Sequence, residues 1–314
     1  PDEFKFGADA KNKNSGGKKV SVYVMCPDGF YVPRFWIKSD EPQNTLFPTF
    51  SDSRLLQARP LVDGLTPRPL EGSCIMRDDM QTTLRDAIMK SWNHCGGAML
   101  RLYCGGGKTE IVMASWFEHR KTLKGTRGKL GVLVCGLMEM WMQRCQNRFQ
   151  DAKVIILDGK NKPSQKTIDE ADIIIISMHM AMKDAFKEHN LDLDYLVVDE
   201  AHDIGGAEMM KSARNIGFPR YMLAMSATPE RWDGMGRLIY WLFGPQMPIF
   251  ARPKPKYNIY IRMIGVVIPP KENESMPNCL MKKCGRYVFD RNLFWNHLHK
   301  SDNWMSAIIK TIMW

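Results

Sequence analysis

The sequence has no CxxC cysteine pair and no long apolar run. Its eight cysteines are scattered without a CxxC motif, which argues against a zinc knuckle or a disulfide framework and favours a reducing, intracellular compartment. The longest apolar run surrounds residues 173–176 and is far shorter than the roughly 18 residues that a membrane span requires. No signal peptide opens the chain. The sequence therefore predicts a soluble protein without a membrane partner.

Acidic residues are also fewer than basic ones. The 34 Asp and Glu residues against 44 Lys and Arg give a net charge of +10, which favours a polyanionic partner such as nucleic acid. The segment 251–300 holds ten basic and three acidic residues and so contributes +7 of this charge. It is either a surface that follows a nucleic-acid backbone or a solvated linker, and the sequence leaves both open.

The 314 residues, at about 150 per domain, predict about two domains, and a 44% hydrophobic content is enough to build their cores. Residues 1–19 are polar and predict a flexible lead. Residues 20–75 predict a small N-terminal module with a β-hairpin around the turn CPDG. Because the chain begins with Pro1 and ends inside an amphipathic pattern, we expect it to be a piece of a longer protein.

Short apolar runs alternate with amphipathic segments through the middle of the chain. The runs are AMLRLY, GVLVCG, KVIILDG, DIIIISM, YLVVDEA and YMLAMSA. The amphipathic segments cover 77–92, 110–122, 137–150, 178–189 and 206–215. This alternation is typical of buried parallel strands joined by crossover helices and predicts an α/β fold. Ligands of such folds bind at the carboxyl ends of the strands.

A glycine-rich loop follows the first of these runs and precedes an amphipathic segment. Its residues are Gly105, Gly106, Gly107, Lys108 and Thr109. Glycines let backbone N–H groups converge on phosphate oxygens, Lys108 can reach the outer phosphates of a nucleotide, and Thr109 can ligate Mg²⁺. The full G-x-x-x-x-G-K-T pattern has Gly where this chain has Leu102, so the match is to a looser form. The alternative is a glycine-rich turn with a surface lysine.

Two adjacent carboxylates end another apolar run, in the sequence LVVDEAH. Asp199 is placed to hold Mg²⁺, and Glu200 to orient or deprotonate a water that attacks the terminal phosphate. Neighbouring carboxylates repel each other unless a cation lies beside them. His202 is either a hydrogen-bonded histidine at a helix start or a link from this site to the next motif.

The third motif, SATPER, follows the last apolar run. Ser226 and Thr228, on either side of Ala227, carry hydroxyl groups that can bridge the carboxylates to groups across the cleft. Arg231, at the end of the motif, is a candidate for contact with nucleic acid.

The three motifs in this order resemble the N-terminal motor domain of superfamily 2 DEAD/DEAH-type helicases, which implies a RecA-like P-loop NTPase domain. The pieces LRLYCGGGKTEIVMA, YLVVDEAHDIGGAEMM and LAMSATPERWDGMGRLIYWLFGP look like the branch with the xeroderma pigmentosum group B translocase and the type III restriction subunits, and above all like helicases of large nucleocytoplasmic DNA viruses. An upstream "y-vPRfyG" stretch of those viral proteins is similar to Tyr31–Trp36. The resemblance covers about residues 20–250. If the protein is viral, the resemblance implies a location in the host cytoplasm or the virion.

The resemblance implies roles for single residues. Lys108 and Thr109 would bind ATP and Mg²⁺. Asp199 and Glu200 would serve the metal and the attacking water. The motif at 226–228, together with His202, would couple hydrolysis to movement.

Two motifs depart from the family patterns. The adenine-reading segment L-R-x-Y-Q is represented by MRDDMQ, which keeps Gln81 but has Asp78 where that register has Arg. The strand-contacting L-x-x-Q-W has Met140 before Trp141. Trp141 is therefore a candidate either for nucleic-acid contact or for packing in the core.

The predicted domains are the RecA-like ATP-binding domain, 76–250, and a basic linker with the start of a truncated second RecA-like domain, 251–314. The leading hypothesis is an ATP-dependent helicase or translocase acting on DNA or RNA, in a transcription or replication complex. The alternative is a catalytically incomplete adaptor that binds nucleotide or nucleic acid without turnover. Because the family's arginine finger lies in the second motor domain, we expect residues 1–314 alone to bind ATP weakly and to unwind little.

Overall fold

The computed structural model describes eleven stretches of the chain, which are 5–6, 20–21, 24–26, 29–31, 35, 61–205, 209–217, 219–230, 236–253, 280–283 and 286–289. The chain divides into two compact units, Pro1–Pro253 and Lys254–Trp314.

A six-stranded parallel sheet forms the centre of the first unit. Its strands are β5 (Gly97–Arg101), β6 (Leu130–Val134), β7 (Val154–Leu157), β8 (Ile173–Ser177), β9 (Tyr195–Val198) and β10 (Tyr221–Ser226). They lie in the order β5-β10-β9-β6-β8-β7, and every neighbouring pair is parallel. Each strand coincides with one of the six apolar runs, so the predicted α/β fold with a parallel sheet is confirmed.

Both faces of this sheet are buried, which explains why the strands are apolar throughout. Side chains alternate between the faces of a strand. In β8, Ile174 and Ile176 enter one hydrophobic core, while Ile173 and Ile175 enter the other. A fully buried side chain of this size stabilises the fold by about 1.5–3 kcal/mol. A charged residue at any of these positions would remove a large share of the domain's stability.

Seven α-helices belong to the described residues. They are α1 (Asp79–Cys95), α2 (Lys108–Arg120), α3 (Met138–Arg148), α4 (Gln165–Glu170), α5 (Met178–Ala181), α6 (Met209–Ile216) and α7 (Gly236–Phe243). Helix α1 begins where the side chain of Asp78 accepts the Gln81 N–H, and this bond lowers the pKa of the Asp78 carboxyl. It ends at Gly96, which adopts the left-handed conformation typical of a helix C-terminus.

The helix predicted over 178–189 is interrupted in the structure. Helix α5 ends at Ala181, and a 3₁₀ helix follows over Asp184–Glu188. The side-chain amide of Asn215 donates to the carbonyls of Ala181 and Lys183, at 2.8 and 3.0 Å. These bonds satisfy carbonyl groups at the break, so helix α6 stabilises an interruption that the amphipathic period does not reveal.

The predicted N-terminal hairpin is present. Strand β3 (Val24–Cys26) pairs antiparallel with β4 (Gly29–Tyr31), with Cys26 opposite Gly29. Within residues 1–19 the structure describes Lys5–Phe6, which form β1 and pair with β2 (Val20–Ser21). A flexible lead stays a prediction. Aromatic residues favour strands, so Phe6 fits its place in a β-strand.

Phe35 connects the N-terminal segment to the edge of the parallel sheet. Its ring is buried against Gly97, where a β-carbon would overlap the ring. Its backbone N–H donates to the Trp241 carbonyl at 2.9 Å. Phe35 therefore packs where strand β5 begins, and Gly97 leaves the space for it.

In the second unit the described residues form one antiparallel pair, β11 (Leu280–Lys283) with β12 (Arg286–Phe289). The strand-like segment 262–269 and the amphipathic pattern at 304–312 lie outside the described residues. The assignment of this unit to a second RecA-like domain stays a prediction.

Across the part of the chain that the structure describes, no helix has the length and apolar character needed to cross a membrane.

Candidate functional site

The three motifs lie at the carboxyl ends of three adjacent strands. Strand β10 lies between β5 and β9, with Ser226 paired to Arg101 and Ala224 paired to Val198. The N–H of Leu102 also donates to the Ser226 carbonyl at 3.2 Å. Because all three strands run the same way, the loops that follow them meet at one edge of the sheet. Residues far apart in the sequence thus form one site.

The glycine-rich loop has the backbone conformation that its glycines permit. Gly105 and Gly107 have φ angles of +83° and +89°, in the left-handed region that other residues rarely adopt. Helix α2 starts at Lys108, directly after the loop. The first N–H groups of a helix have no acceptor within it and attract anions. The loop therefore directs backbone donors at the edge of the sheet where the other motifs lie.

Leu102, where the full phosphate-loop pattern has glycine, has a packing role. Its side chain is buried beneath the loop, and a β-carbon on Gly106 would lie 2.6 Å from Leu102 Cγ. Gly106 is thus required by close packing, whereas an added β-carbon on Gly105 would meet nothing within 4 Å. Leu102 therefore packs beneath Gly106, while the space beside Gly105 stays open.

Gln81 contacts the phosphate loop directly. Its Nε2 donates to the Gly106 carbonyl at 3.1 Å, and its Oε1 accepts the Arg77 N–H at 2.8 Å. The amide is buried, and a β-carbon on Gly107 would overlap it. In this structure Gln81 fixes the loop, and adenine reading by Gln81 stays a prediction.

Lys108 and Thr109 form the start of helix α2. The Lys108 Nζ lies 3.4 Å from the Leu102 carbonyl, so the ammonium group folds over the loop. Thr109 is buried, with 8% of its surface exposed. Both residues follow the glycines immediately, which places a positive charge and a hydroxyl group at the loop.

Asp199 ends strand β9 and has fixed hydrogen-bond donors on both carboxylate oxygens. Its Oδ1 accepts the N–H of Glu200, and its Oδ2 accepts the indole N–H of Trp141, both at 2.9 Å. Trp141 lies in helix α3 and is wholly buried. Because no part of its side chain is exposed, Trp141 cannot contact a nucleic acid in this structure, and the expectation of such a contact is corrected. The physical reason is the apolar packing of its ring against the sheet.

Glu200 has an unusual backbone conformation. Its φ angle is +48°, in the left-handed region that is uncommon for residues other than glycine. Its side chain is 45% exposed, and its Oε2 lies 3.4 Å from the Nδ1 of His202. The left-handed turn at Glu200 directs the chain into a 3₁₀ helix, Ala201–Gly205.

His202 connects the second motif to the third. Its Nδ1 lies 3.1 Å from the hydroxyl oxygen of Ser226, which is fully buried. The same oxygen accepts the N–H of Thr228 at 3.0 Å. Ala227 is half-buried, and Thr228 is exposed. The structure thus brings His202, Ser226 and Thr228 together, as the link proposed for His202 requires.

An ion pair that no sequence motif indicates joins strand β5, which leads into the glycine-rich loop, to the third motif. Arg101, the last residue of strand β5, contacts the Glu230 carboxylate. The parallel register of β5 and β10 places Arg101 opposite Ser226, four residues before Glu230. The ion pair can therefore be predicted only once that register is known. Arg231 lies outside the described residues.

Cys135 follows strand β6 near the second motif. Burial and the Asp203 carboxylate raise the pKa of its thiol.

The donor set fits a nucleotide with a divalent cation. Backbone N–H groups and the Lys108 ammonium suit phosphate oxygens, while a hydroxyl and a carboxylate, from Thr109 and Asp199, are the hard oxygen donors that Mg²⁺ prefers. The fit rests on the open space above Gly105, where an added β-carbon would meet no atom within 4 Å.

Two solved structures align with part of this chain. The Sulfolobus solfataricus SWI2/SNF2 ATPase core in complex with dsDNA aligns with a TM-score of 0.45 at 18% identity, over 57% of this chain and 37% of that one. The UvsW helicase of bacteriophage T4 aligns with a TM-score of 0.48 at 12% identity, over 78% of this chain and 90% of that one.

Two viral proteins are similar in sequence. One, from Acanthamoeba polyphaga mimivirus, is named as an ATP-dependent RNA helicase and is 24% identical over 68% of this chain. The other, from Invertebrate iridescent virus 3, is named as a helicase and is 28% identical over 79% of this chain. The match spans 40% of the length of the mimivirus protein and 73% of the iridescent virus protein.

The family model described as the res subunit of the type III restriction enzyme matches residues 75–231, half of the chain. This segment contains all of α1, the glycine-rich loop, the paired carboxylates and the SATPER motif. The chain belongs to the type III restriction enzyme res subunit family, within the superfamily 2 helicases.

Proposed function

We propose that the chain is the ATP-hydrolysing motor domain of a nucleic-acid helicase or translocase. The observation that carries this proposal is the meeting of the three motif loops on the adjacent strands β5, β10 and β9. Family membership supports the same conclusion, since helicases of this type are P-loop ATP hydrolases. Movement along a strand would follow from repeated binding and hydrolysis of ATP.

The glycine-rich loop and Lys108 would hold the triphosphate. Left-handed Gly105 and Gly107, together with the start of helix α2, support this role because they present N–H groups to an anion. Lys108 would exchange its long 3.4 Å contact with the Leu102 carbonyl for a phosphate oxygen, a stronger partner for an ammonium group.

Thr109 and Asp199 would hold Mg²⁺. Their support is the chemistry of hydroxyl and carboxylate oxygens at the loop and at the end of β9. When bound, Mg²⁺ would neutralise the charge that develops on the phosphate oxygens during transfer.

Glu200 would orient the attacking water and take its proton. Its half-exposed carboxylate, directed by an unusual backbone conformation at the end of β9, supports this role. Hydrolysis would then break the bond between the terminal phosphate and the rest of ATP, with the water oxygen becoming part of the released phosphate.

His202, Ser226 and Thr228 would couple the ATP site to movement. The 3.1 Å contact between His202 Nδ1 and Ser226 Oγ supports this role, because a displacement of Glu200 and its neighbours on hydrolysis would reach the third motif through it. Thr228, whose N–H bonds to the same oxygen, is exposed and available to a second partner.

The substrate class would be DNA or RNA. The net charge of +10 suits either one. RNA is tested beside DNA because the mimivirus relative is named as an RNA helicase. The proposal includes a transcription or replication assembly and a location in the host cytoplasm or the virion, and the viral source of two relatives supports that location.

The experiment compares the full chain with its Glu200→Gln variant. We measure ATP binding, phosphate release and strand displacement on DNA and on RNA duplexes. The Gln variant should bind ATP with wild-type affinity and lose about 10²–10⁴-fold in phosphate release, the usual contribution of a general base. Glu188→Gln, an exposed change on the 3₁₀ helix, is the matched control and should behave like the wild type.

The same experiment separates the motor from the adaptor. A wild-type chain that binds ATP but releases no phosphate with either nucleic acid would favour the adaptor. Phosphate release that survives in the Glu200→Gln variant would overturn the proposed role of Glu200.

A further inference from the structure

Trp141 differs from two other buried tryptophans in what its indole N–H contacts. Trp92 and Trp116 are also wholly buried, and each donates to a backbone carbonyl, of Met222 and Gly128 respectively, at 3.0 Å. Trp141 instead donates to a carboxylate oxygen of Asp199 at 2.9 Å. A hydrogen bond to a charged acceptor is stronger than one between neutral groups.

The bond from Trp141 completes the fixation of the Asp199 side chain. The backbone of Asp199 is held by its own N–H, which donates to the Leu133 carbonyl of β6 at 3.0 Å. One carboxylate oxygen accepts from Glu200 and the other from Trp141. With a donor on each oxygen, the plane of the carboxylate is set. Each oxygen keeps one further lone pair, so both can accept from another partner.

The indole is itself held in place relative to the phosphate loop. Trp141 lies in the first turn of α3, and its backbone N–H donates to the carbonyl of Leu137, whose φ angle is +58°. Arg148, at the end of α3, forms an ion pair of 2.9 Å with Glu110 in the first turn of α2. Helix α3 is thus tied to the helix that begins in the glycine-rich loop.

We propose that Trp141 is a positioning residue for nucleotide binding, because it holds the Asp199 carboxylate in the orientation that accepts the nucleotide's Mg²⁺. The proposal rests on the role given to Asp199 above. Trp141 touches neither nucleotide nor nucleic acid and acts only through Asp199. Its effect is therefore confined to the Mg²⁺-dependent part of nucleotide affinity.

The test uses the full chain and its Trp141→Phe variant, which removes the indole N–H and keeps an aromatic ring. A fluorescent ATP analogue is titrated in Mg²⁺ and again in EDTA. Trp141→Phe should raise the Kd in Mg²⁺ by about tenfold, the effect expected for one hydrogen bond to a charged group, and leave the Kd in EDTA unchanged.

Trp116→Phe is the matched control, since it also removes one buried indole N–H from its acceptor. It should leave both Kd values within about twofold of the wild type, because its acceptor, the Gly128 carbonyl, belongs to another loop. In an Asp199→Asn background, Trp141→Phe should add no further loss in Mg²⁺.

Two results would overturn the proposal. One is an unchanged Kd in Mg²⁺ for a folded Trp141→Phe chain. The other is an equal loss in Mg²⁺ and in EDTA, which would make Trp141 a structural residue only. If the wild type binds no ATP analogue, the proposed function itself fails, and that outcome is distinct from both.

If the Trp141→Phe chain does not fold, a second measurement on the wild type tests the proposal. In the wild type, the indole N–H resonances are recorded by NMR with and without Mg²⁺ and nucleotide. One indole resonance should move when both are added, and the same resonance should be displaced in Asp199→Asn. The absence of such a resonance contradicts the proposal.

Discussion

The buried hydroxyl oxygen of Ser226 lies 3.1 Å from the Nδ1 of His202 and also accepts the N–H of Thr228. It is therefore the point at which the second and third motifs meet. A change that removes this one atom tests whether the contact links the ATP site to nucleic acid.

Replacing Ser226 with alanine should separate the two activities. Phosphate release without nucleic acid should persist, because the nucleotide-binding groups are untouched, whereas its stimulation by DNA or RNA should fall by about tenfold, the effect of one hydrogen bond. Both are measured on the same full-chain preparation. Ser115→Ala, another buried serine whose hydroxyl donates within its own helix to the Ile111 carbonyl, is the control. A parallel fall of both activities would contradict the coupling role.

Gly107→Ala should weaken nucleotide binding more than its backbone strain alone predicts. Alanine at a left-handed position costs about 1–2 kcal/mol. The new methyl group would also overlap Gln81 and displace its amide from the Gly106 carbonyl. Gly64→Ala, at φ +77° with no atom within 4 Å of the added carbon, is the control for strain.

Melting temperature and nucleotide Kd are measured for both glycine variants. Both should lose similar stability from strain, and only Gly107→Ala should lose about tenfold or more in nucleotide affinity. Equal nucleotide affinity in the two variants would refute the account of the loop.

Phe35→Ala should destabilise the first unit by about 3–5 kcal/mol, because it leaves a cavity beside Gly97. The measurement is denaturant unfolding of the full chain. Ile249→Ala, a change at an exposed apolar residue, should stay within about 0.5 kcal/mol of the wild type. A loss at Phe35 no larger than that at Ile249 would mean that the contact with strand β5 contributes little.

Stability should fall as the pH drops below 6.5, because His119 is buried in its neutral form. Its Nδ1 and Nε2 lie 2.7 Å from the Tyr195 hydroxyl and 3.0 Å from Asn93 Oδ1. Burial lowers the pKa of His119 from 6.5 to about 4. Between these values the unfolded chain binds a proton that the folded chain does not, so the free energy of unfolding decreases by about 3 kcal/mol in total.

Chemical denaturation at pH 8, 6 and 5 measures this effect. The loss attributed to His119 is absent above its ordinary pKa and complete below about pH 4. His119→Gln should remove this part of the pH dependence. If His119→Gln loses as much free energy of unfolding between pH 8 and 5 as the wild type, other titrating groups cause the loss.

The parallel sheet could be predicted from the sequence because burial on both faces leaves a mark at every residue of a strand. Ile173–Ile176 illustrate this, since all four are buried in the two cores. The meeting of the three motifs followed from parallel strands that carry polar residues at their carboxyl ends. Local patterns of this kind survive in a single sequence.

Contacts that depend on the exact placement of two elements produce no pattern in the sequence and could not be predicted from it. An apolar period predicts that Trp141 is buried, but the partner of its indole N–H depends on how α3 packs beside β9. The amide of Gln81 likewise meets the Gly106 carbonyl across 25 positions of sequence. The break after Ala181 depends on Asn215, a residue of another helix.

The most direct test of the central claim is phosphate release by the full chain and its Lys108→Ala variant, with and without single-stranded DNA or RNA. Lys124→Ala, at an exposed lysine after helix α2, is the matched control. We expect release that nucleic acid stimulates in the wild type and in the control, and a loss of about 10²–10³-fold in Lys108→Ala, as for other groups that stabilise developing charge. Wild-type release by the Lys108→Ala variant would contradict the account.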